Sequence, residues 1–459
     1  MKMKGLLVSL LVLSAVVTLS ACGKTGTKTG GEPTSPTTSP TTNDTQKDPV
    51  EDERVQEAEI EVYAPKGKNT DYLLQATELY NQKYGTKLTL KPVDVAPGVP
   101  MVQKITPQLV AGEKMPELIF MQDANAGAIF EKFEDEFIAS EDLGFVNEYG
   151  ADFYPAKMNM LENIAPSKKV YGFPNDWGNS VMFFNNAAFV EAGVDMENDV
   201  KTWDDLIEAG KKLKAATGKN LLFMRNTGEL DLVKYIAEQQ NTVLFDKDGN
   251  LDLVNDSLVN AYAILKKIAD ADLVSYGEAG DYYSIGMECG VIFAGGWLAS
   301  YQATDYPDEA GNWRIAAMPK VSADQAYVAP MSGGSSYYIL KNSKNPEAAA
   351  QLITFILTDP EALDIYMNLK GLPANTTAYS SAAGSQGFEF YGDQKILLVL
   401  NDVSKNSIQG YVFPYSADLN NYIEQASYEI QFNGVDVKEA LSKQAKDFAS
   451  KYGVEVIGQ

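Results

Sequence analysis

Polar and apolar residues alternate along the first stretch of the chain that has enough apolar residues to form a core. Residues 58–63 alternate as a strand with one buried face does. Residues 71–84 place apolar side chains on one helical face, and Gly85 follows where a left-handed residue ends a helix. Residues 87–93 alternate again. This order of strand, helix and strand predicts a parallel sheet with a crossover helix, so the predicted class is α/β.

A further strand is predicted at residues 117–121, where the sequence ELIFM is almost wholly apolar and fits a strand buried on both faces. Polar residues follow its end. In open α/β sheets ligands bind beyond the carboxyl ends of the strands, so Asp123 and Asn125 are candidate ligand contacts. The alternative for either residue is a helix N-cap.

Two tryptophans lie next to residues that form turns. Trp177 stands among Gly, Pro, Asn and Asp, before the apolar residues of 181–184, which predicts a break in the chain followed by a return to the core. Trp297 directly follows Gly295 and Gly296, after the apolar run 291–294. Glycine or proline also marks residues 332–334 and 370–374. Three of these breaks are spaced as crossings between two lobes would be.

Several helices are predicted from their capping residues. Thr202 is a predicted N-cap with acidic residues in the following turn, and Gly218 closes that helix. Trp203, at the first helical position, is interpreted as core packing. Pro346 is predicted to begin another helix, and Asp436 to cap the last one.

Composition narrows the possible functions. Of 459 residues, 38 are basic and 62 acidic, which gives a net charge of −24 and argues against a nucleic-acid partner or a binding mode that lies on an anionic membrane. The sequence contains no histidine, which excludes Ser-His-Asp and Cys-His catalysis and histidine-ligated zinc, but leaves carboxylate chemistry open. With two cysteines, Cys22 and Cys289, we expect no internal disulfide, and Cys289 is interpreted as a buried apolar residue.

No cofactor and no metal site is expected. Residues 245–253 (FDKDGNLDL) have alternating acidic residues, but an EF-hand loop needs Gly at its sixth position and Glu at its twelfth, where this chain has Leu251 and Ser257. The Asp-Gly pair in this segment predicts a turn instead.

The N-terminus has the pattern of an export signal. Residues 1–21 combine two lysines, a short apolar stretch and small residues before Cys22, and Leu19-Ser20-Ala21-Cys22 resembles the bacterial lipoprotein box, in which the cysteine is lipidated. Ordinary cleavage that leaves a free thiol is the alternative. Residues 22–57 are rich in Thr, Ser, Pro and charge and predict a disordered tether. The expected location is extracytoplasmic, with membrane contact through the lipid anchor.

Several segments together resemble a family 1 extracellular solute-binding protein of the carbohydrate-uptake ABC type. The resemblance covers about residues 58–375 and is carried by MPELIFM, VYGFPNDWGNSVMFFNN, KTWDDLIEAGKKLK, VIFAGGW, Ser332-Gly333-Gly334, NPEAAAQLITFILTDPEAL and GLPAN. It implies a two-lobed periplasmic-binding-protein-like fold, each lobe a mainly parallel sheet flanked by helices, with the ligand cleft at the hinge. The implied lobes are residues 58–173 plus 334–372 and residues 178–331 plus 375–459, with hinge segments near 173–177, 332–334 and 371–375.

The resemblance also implies functional residues. It places Trp297 where the family stacks a sugar ring, and Asp123 and Asn125 in a first-lobe loop that supplies hydrogen bonds. Met121 stands where maltose-type members have an aromatic residue, so maltodextrin specificity is not implied.

Sugar recognition needs flat aromatic surfaces and convergent polar groups. The candidates for these roles are Trp177, Trp297, Tyr337 and Tyr338 as surfaces and Asp123, Asn125, Asn175 and Asp176 as partners. For the two tyrosines strand packing is the alternative, and at most one of them is expected to face the cleft because neighbouring strand residues point to opposite faces.

We therefore expect a binding protein without catalytic activity that takes a carbohydrate ligand, acts as a monomer and has ABC permease subunits as its partner. A membrane-anchored glycoside hydrolase with paired carboxylates is the competing interpretation, since it needs no histidine. A ligand-sensing receptor subunit, which shares the fold and the site and differs in its partner, is a further one.

Overall fold

The computed structural model describes residues 54–278, 280, 282–408 and 410–458. The predicted signal peptide, Cys22 and nearly all of the predicted tether lie outside the described residues. The described strands are β1 (Glu57–Ala64), β2 (Lys87–Asp94), β3 (Leu118–Gln122), β4 (Phe137–Ile138), β5 (Phe173–Asn185), β6 (Leu222–Arg225), β7 (Val274–Gly277), β8 (Val291–Gly295), β9 (Trp313–Ala316) and β10 (Met331–Leu340).

Helices surround these strands and connect them. They are α1 (Lys68–Tyr84), α2 (Val99–Ala111), α3 (Asp123–Phe133), α4 (Phe145–Tyr149), α5 (Pro155–Ile164), α6 (Asn186–Glu191), α7 (Met196–Asp199), α8 (Trp203–Thr217), α9 (Asp231–Glu238), α10 (Asp256–Asp270), α11 (Tyr282–Glu288), α12 (Leu298–Asp305), α13 (Pro346–Thr358), α14 (Pro360–Asn368), α15 (Ile396–Ser404), α16 (Ser416–Asn433) and α17 (Val437–Tyr452). Across the part of the chain that the structure describes, no helix combines the length and the apolar composition needed to span a bilayer.

Most of the strands join one sheet in the order β2-β1-β3-β10-β5-β8, with β4 on β10 and β9 on β5. The pairs β1–β2 and β1–β3 are parallel, as the pattern of strand, helix and strand predicted. Strand β10 runs antiparallel to both β3 and β5, and β5 runs antiparallel to β8 and β9. The second half of the sheet is therefore antiparallel where a parallel sheet was expected. Strand β5 belongs to both halves of the sheet, and β8 and β9 run in the opposite direction to it. Strands β6 and β7 form a separate parallel pair.

The break predicted around Trp177 is wrong, because residues 173–185 form a single 13-residue strand, β5. The turn-forming residues are accommodated by irregular pairing instead. The register between β5 and β10 shifts between Met331 and Gly334 and again between Ser335 and Ser336. Such bulges bend and twist a strand without ending it.

The buried apolar side chains of the described residues form two hydrophobic cores. One gathers side chains from β1, β3, α1, α13 and α14, and the other gathers side chains from α8, α9, α10, α16 and α17. Strand β5 contributes to both, since Phe183 belongs to the first core and Phe184 to the second. Neighbouring strand residues point to opposite faces, which is how one strand serves two cores.

Most local predictions are confirmed. Thr202 and Asp205 form a capping box at the start of α8, and Gly218 ends that helix in a left-handed conformation. The Asp436 side chain accepts hydrogen bonds from two backbone N–H groups at the start of α17. Trp203 and Cys289 are each 1% exposed, as core residues are. The Asp246 carboxylate accepts backbone N–H bonds from Asp248 and Asn250, which closes the predicted turn.

Candidate functional site

The three segments predicted as crossings lie side by side near the start of β5. On one edge, Trp177 pairs with Gly334 and Asp176 with Ser335 of β10. On the other edge, Asp176 forms an isolated bridge with Pro373, and the N–H of Ala374 donates to the carbonyl of Asn175 at 3.0 Å. The backbone therefore brings residues from all three segments within hydrogen-bond distance of one another.

The glycines of β10 are required by this close approach. Gly333 has a φ of 105° and Gly334 a φ of 143°, which L side chains rarely adopt. A Cβ atom on Gly334 would lie 3.2 Å from Cε3 of Trp177 and 3.3 Å from Oδ2 of Asp123. The Ser-Gly-Gly motif thus lets the strand pass between these two side chains.

Beside this point is a polar cluster formed by Asp123, Lys157, Asp176, Tyr338 and Tyr366. The Lys157 ammonium group is fully buried, and it donates to the Asp123 carboxylate and, at 3.0 Å, to the Ser335 carbonyl. The Tyr338 hydroxyl donates to Oδ1 of Asp123 at 2.9 Å. A buried carboxylate needs such partners because it has lost its hydration. Asp123 therefore ties α3, α5 and β10 together.

Asp176 is the half-buried member of the polar cluster. Its Oδ1 accepts from the Ser335 N–H at 2.7 Å, and the Tyr366 hydroxyl lies 3.3 Å from its Oδ2. Burial raises the pKa of Asp176, while the positive charges of Lys157 and Lys68 act in the opposite direction. Asn175 is buried and donates to the Tyr366 hydroxyl at 3.1 Å.

Trp177 is packed into the protein. It is 2% exposed, and its indole N–H donates to Oγ of Ser407 at 2.8 Å. Ser407 also lines a cavity of about 560 Å³, whose other lining residues are Tyr154, Pro155, Ala156, Thr376, Tyr379, Ser380, Asn401, Ser404 and Lys405. This cavity is lined by none of the eight residues that the sequence predicted for ligand binding.

Trp297 is placed differently, at the end of β8 and immediately before α12. It is partly exposed, and its indole N–H donates to the Ser332 carbonyl at 3.2 Å. A Cβ atom on Gly295 would overlap the indole nitrogen, and one on Gly178 would lie 3.7 Å from Cδ1. Gly295 therefore leaves the space that the Trp297 ring needs to pack against Ser332 of β10.

Two further aromatic rings contact Trp297, and we call Tyr283, Trp297 and Tyr301 the aromatic corner. The Tyr283 ring centroid lies 5.6 Å from that of Trp297 at an interplanar angle of 86°, and the Tyr301 ring lies at 6.1 Å and 79°. Next to Tyr301, Oγ of Ser300 lies 3.4 Å from Nζ of Lys68, which begins α1. Ser300, which precedes Tyr301 in the sequence, therefore contacts the start of α1.

The remaining predicted residues are not gathered at one point. Tyr337 is fully buried and packs on Phe120 with ring centroids 4.9 Å apart. Tyr338 is 1% exposed, so β10 buries both tyrosines. Asn125 is half-buried and donates to Oε1 of Gln122 at 3.2 Å. Helix α3 begins at Asp123 with Gln122 as its N-cap, so neither Asp123 nor Asn125 has the capping role considered as an alternative.

Sequence reasoning missed five residues at this site: Lys68, Lys157, Tyr283, Tyr301 and Tyr366. A signal existed for Lys68, because it lies beyond the carboxyl end of β1 and the rule applied to β3 covers it. The other four lie on helices in sequence contexts that equally fit packing or solvent exposure.

A family model described as "Bacterial extracellular solute-binding protein" matches residues 64–362. The chain belongs to this family. The family model of this solute-binding protein extends from the end of β1 into α14 and so covers β5, β10 and the residues of the aromatic corner.

Individual relatives agree with this family. The solute-binding protein is 26% identical over 410 residues to an arabinooligosaccharide-binding protein of Bacillus subtilis, which covers 86% of this chain and 91% of the relative. It is 25% identical over 341 residues to a lactose-binding protein of Rhizobium radiobacter, with 72% and 77% covered.

A solved structure confirms the predicted fold. The ABC transporter associated binding protein of B. animalis subsp. lactis Bl-04, in complex with beta-1,6-galactobiose, matches with a TM-score of 0.69 at 22% identity, covering 87% of this chain and 99% of that one. The solute-binding protein thus has the α/β, two-lobed fold of this family.

Proposed function

We propose that this solute-binding protein is the substrate-binding subunit of an ABC importer, which captures a mono- or oligosaccharide and delivers it to a membrane permease. The observation that carries the proposal is Trp297, a partly exposed indole held against the Ser332 carbonyl beside the paired strands β5 and β10. A flat ring of this kind suits the apolar CH face of a pyranose. Relatives named for binding lactose and arabinooligosaccharides support a carbohydrate as the ligand.

We further propose that two lobes close on the sugar. Residues 58–173 with 334–372 form one lobe and residues 178–331 with 375–459 the other, joined near 173–177, 332–334 and 371–375. The adjacency of these segments around Asp176 supports a shared hinge. Hinges that lie side by side allow the lobes to rotate as rigid bodies, and closure converts binding into a shape that a permease can recognise.

Within the site, the predicted residues take two kinds of role in our proposal. Trp297 stacks on a sugar ring, while the half-buried Asp176 and Asn125 supply hydrogen bonds to hydroxyl groups. The more deeply buried candidates hold these groups in place. They are Asp123, Asn175, Trp177, Tyr337 and Tyr338.

We propose that the protein is extracytoplasmic and is anchored to the membrane by a lipid on Cys22. We propose further that it works as a monomer with its permease. The sequence around Cys22 supports the anchor. The family, described as extracellular, supports the location.

A thermal-shift screen of residues 59–459 against mono- and oligosaccharides, with analysis of the recovered sugar, tests the proposal. A ligand that binds the folded state raises the melting temperature by mass action. We expect a shift with at least one sugar, which is recovered intact. Cleavage of that sugar would favour the glycoside hydrolase instead, and the absence of a shift with any sugar would contradict a carbohydrate ligand.

A further inference from the structure

We propose that Tyr235 and Glu238 of α9 are positioning residues for the sugar site. They hold the start of β10 at Met331 and Ser332, and this segment in turn fixes the direction of the Trp297 indole. The inference rests on the proposed function, because it concerns the orientation of the ring that stacks on the sugar. Neither α9 residue contacts the sugar in this proposal.

The sheet by itself does not fix Ser332, the residue that binds the indole. The register between β5 and β10 shifts between Met331 and Gly334, so Ser332 lies in a bulge, where the ladder of backbone hydrogen bonds is interrupted. Two glycines follow, Gly333 with a φ of 105° and Gly334 with a φ of 143°. Because glycine restricts the backbone least, another contact is needed to fix the direction of the Ser332 carbonyl.

Helix α9 supplies this contact from one face. Tyr235 and Glu238 are three positions apart, a spacing that places their side chains side by side. The Tyr235 hydroxyl lies 2.6 Å from Oγ of Ser332, and Oε2 of Glu238 accepts the N–H of Met331 at 2.8 Å. The indole N–H of Trp297 donates to the Ser332 carbonyl at 3.2 Å. A hydrogen-bond chain therefore runs from α9 through the start of β10 to the indole.

This hydrogen-bond chain is shielded from water. Tyr235 is 7% exposed and Glu238 is 9% exposed. Hydrogen bonds are stronger in such surroundings than in water, so they hold the segment in one arrangement. A Ser332 carbonyl that was free to turn would let the indole turn with it, and binding a sugar would then cost the entropy of fixing the ring. We therefore expect α9 to raise the affinity for sugar without contacting it.

Glu238 also makes the hydrogen-bond chain sensitive to pH. Burial raises its pKa from 4.5 to about 7, while the positive charge of Lys234 and the Met331 N–H act in the opposite direction. Tyr235 stays neutral in this range, because burial raises its pKa well above the usual value. As the pH rises through about 7, the acceptor of the Met331 N–H thus changes from a carboxyl group to a carboxylate. The neighbouring elements bring uncharged side chains to α9 and the residues after it: Trp203, Asn260, Gln325 and Asn420.

Indole N–H signals in ¹H–¹⁵N NMR spectra of the labelled protein, recorded without sugar at a series of pH values, test the positioning directly. The chain has four tryptophans, and Trp297→Phe identifies the signal of Trp297. We expect this signal to move in wild type with a midpoint near pH 7. It should stay in place in Glu238→Gln, whose amide oxygen accepts the Met331 N–H at every pH.

Glu229→Gln is the control for this titration. Glu229 is also buried and also has a pKa of about 7, but its carboxylate accepts the N–H groups of Arg225 and Leu232 rather than one of β10. The Trp297 signal should therefore still move with pH in this variant. A role of Glu238 that was only structural would not give the indole of Trp297 a titration that Glu238→Gln removes.

Calorimetric titration with lactose, beta-1,6-galactobiose, arabinotriose and maltotriose measures the effect on binding. Tyr235→Phe keeps the ring and removes the hydroxyl that is bonded to Ser332, and we expect sugar affinity to fall by about fivefold. Tyr262→Phe is the matched control, because the Tyr262 hydroxyl lies 2.7 Å from Oγ of Ser427 on α16. Its affinity should stay within about twofold of wild type. Melting temperatures check that both variants are folded.

The outcomes separate this inference from the proposed function. If the Trp297 signal does not titrate, or titrates equally in Glu238→Gln, the inference is wrong while sugar binding stands. The same holds if Tyr235→Phe binds sugar as wild type does, or loses no more affinity than Tyr262→Phe. If neither these four sugars nor any sugar of the thermal-shift screen binds, the proposed function and the inference are both overturned.

Discussion

Trp297 is the side chain on which the proposed sugar site depends most. It combines partial exposure, a fixed orientation through the Ser332 carbonyl and contact with two other rings. Trp177, which has similar turn-forming neighbours in the sequence, is 2% exposed and is bonded to Ser407. The difference arises because Trp177 lies inside a strand, whereas Trp297 lies just beyond the end of one.

Trp297→Ala is expected to weaken sugar binding by more than about tenfold, because the stacking surface is lost. The variant should also lose some stability, because the ring is mostly buried and packs against the first hydrophobic core. Calorimetric titration and thermal unfolding of the same samples measure the two effects. Wild-type affinity in this variant would remove Trp297 from the site.

Glu238 gives a prediction about pH. This carboxylate accepts the N–H of Met331 at 2.8 Å, at the start of β10, and burial raises its pKa from 4.5 to about 7. The folded state therefore binds a proton more tightly than the unfolded state. The tighter binding of this proton by the folded state stabilises the protein. This stabilisation is fully present below about pH 4.5 and is lost as the pH rises through about 7.

Glu238→Gln removes this titration and keeps an oxygen that accepts the Met331 N–H. The variant should be more stable than wild type at pH 8, by up to about 3 kcal/mol, and the difference should shrink towards pH 4.5. Urea unfolding at several pH values measures it. Glu229 also has a pKa of about 7 and keeps its own pH dependence in the variant. Parallel pH profiles for variant and wild type would contradict the account.

At the scale of elements, β5 and β10 determine how the site is assembled. Strand β5 contributes to both hydrophobic cores and β10 to the first, and their irregular pairing brings Asp176 next to Ser335. On the far side of the site, α3 approaches the segment before α16. A Cβ atom on Gly127 would lie 3.3 Å from backbone atoms of Phe413 and Pro414. The two proposed lobes thus contact each other at Gly127 with no room for a larger side chain.

Gly127→Leu should therefore hinder closure of the lobes. We expect sugar affinity to fall by about tenfold or more, because the free energy of separating α3 from residues 413–414 opposes binding. X-ray scattering should show a larger radius of gyration for this variant with saturating sugar than for wild type with sugar. Lys132→Leu, an exposed position at the other end of α3, is the matched control. Equal affinity in both variants would argue against closure through this contact.

Elements were more predictable from the sequence than their pairing was. Periodicity and capping residues identified α8 and α17, because these signals are local in the chain. The antiparallel β5–β10 pair joins residues about 160 positions apart, and no local signal encodes it. For the same reason Asp123 was identified beyond the end of β3, while its partner Lys157 was not.

At the scale of the whole molecule, the proposed site draws on residues that are far apart in the sequence. Trp297 follows β8 in one half of the sheet, while Lys68 and Asn125 follow strands of the other half. In the proposed mechanism, rotation of the two lobes encloses the sugar without local unfolding. A chain with a net charge of −24 also has little attraction for an anionic lipid surface, so we expect a covalent anchor rather than surface charge to hold it at a membrane.

Cys22→Ser is expected to release the protein from membranes, since the serine hydroxyl does not replace the thiol that the lipid would occupy. Membrane and soluble fractions of cells that express the variant and the wild type, compared by immunoblot, measure the effect. Cys289→Ser, a change at the buried cysteine, serves as the control and should leave the protein with the membrane. Membrane association of the Cys22 variant would rule out the anchor.

The structure of the protein with a bound sugar is the measurement that tests the central claim most directly. Crystals of residues 59–459 should be grown with the sugar that gives the largest thermal shift. The account predicts an intact sugar with one ring against the indole of Trp297. A sugar bound in the cavity beside Ser407, or anywhere away from Trp297, would contradict it.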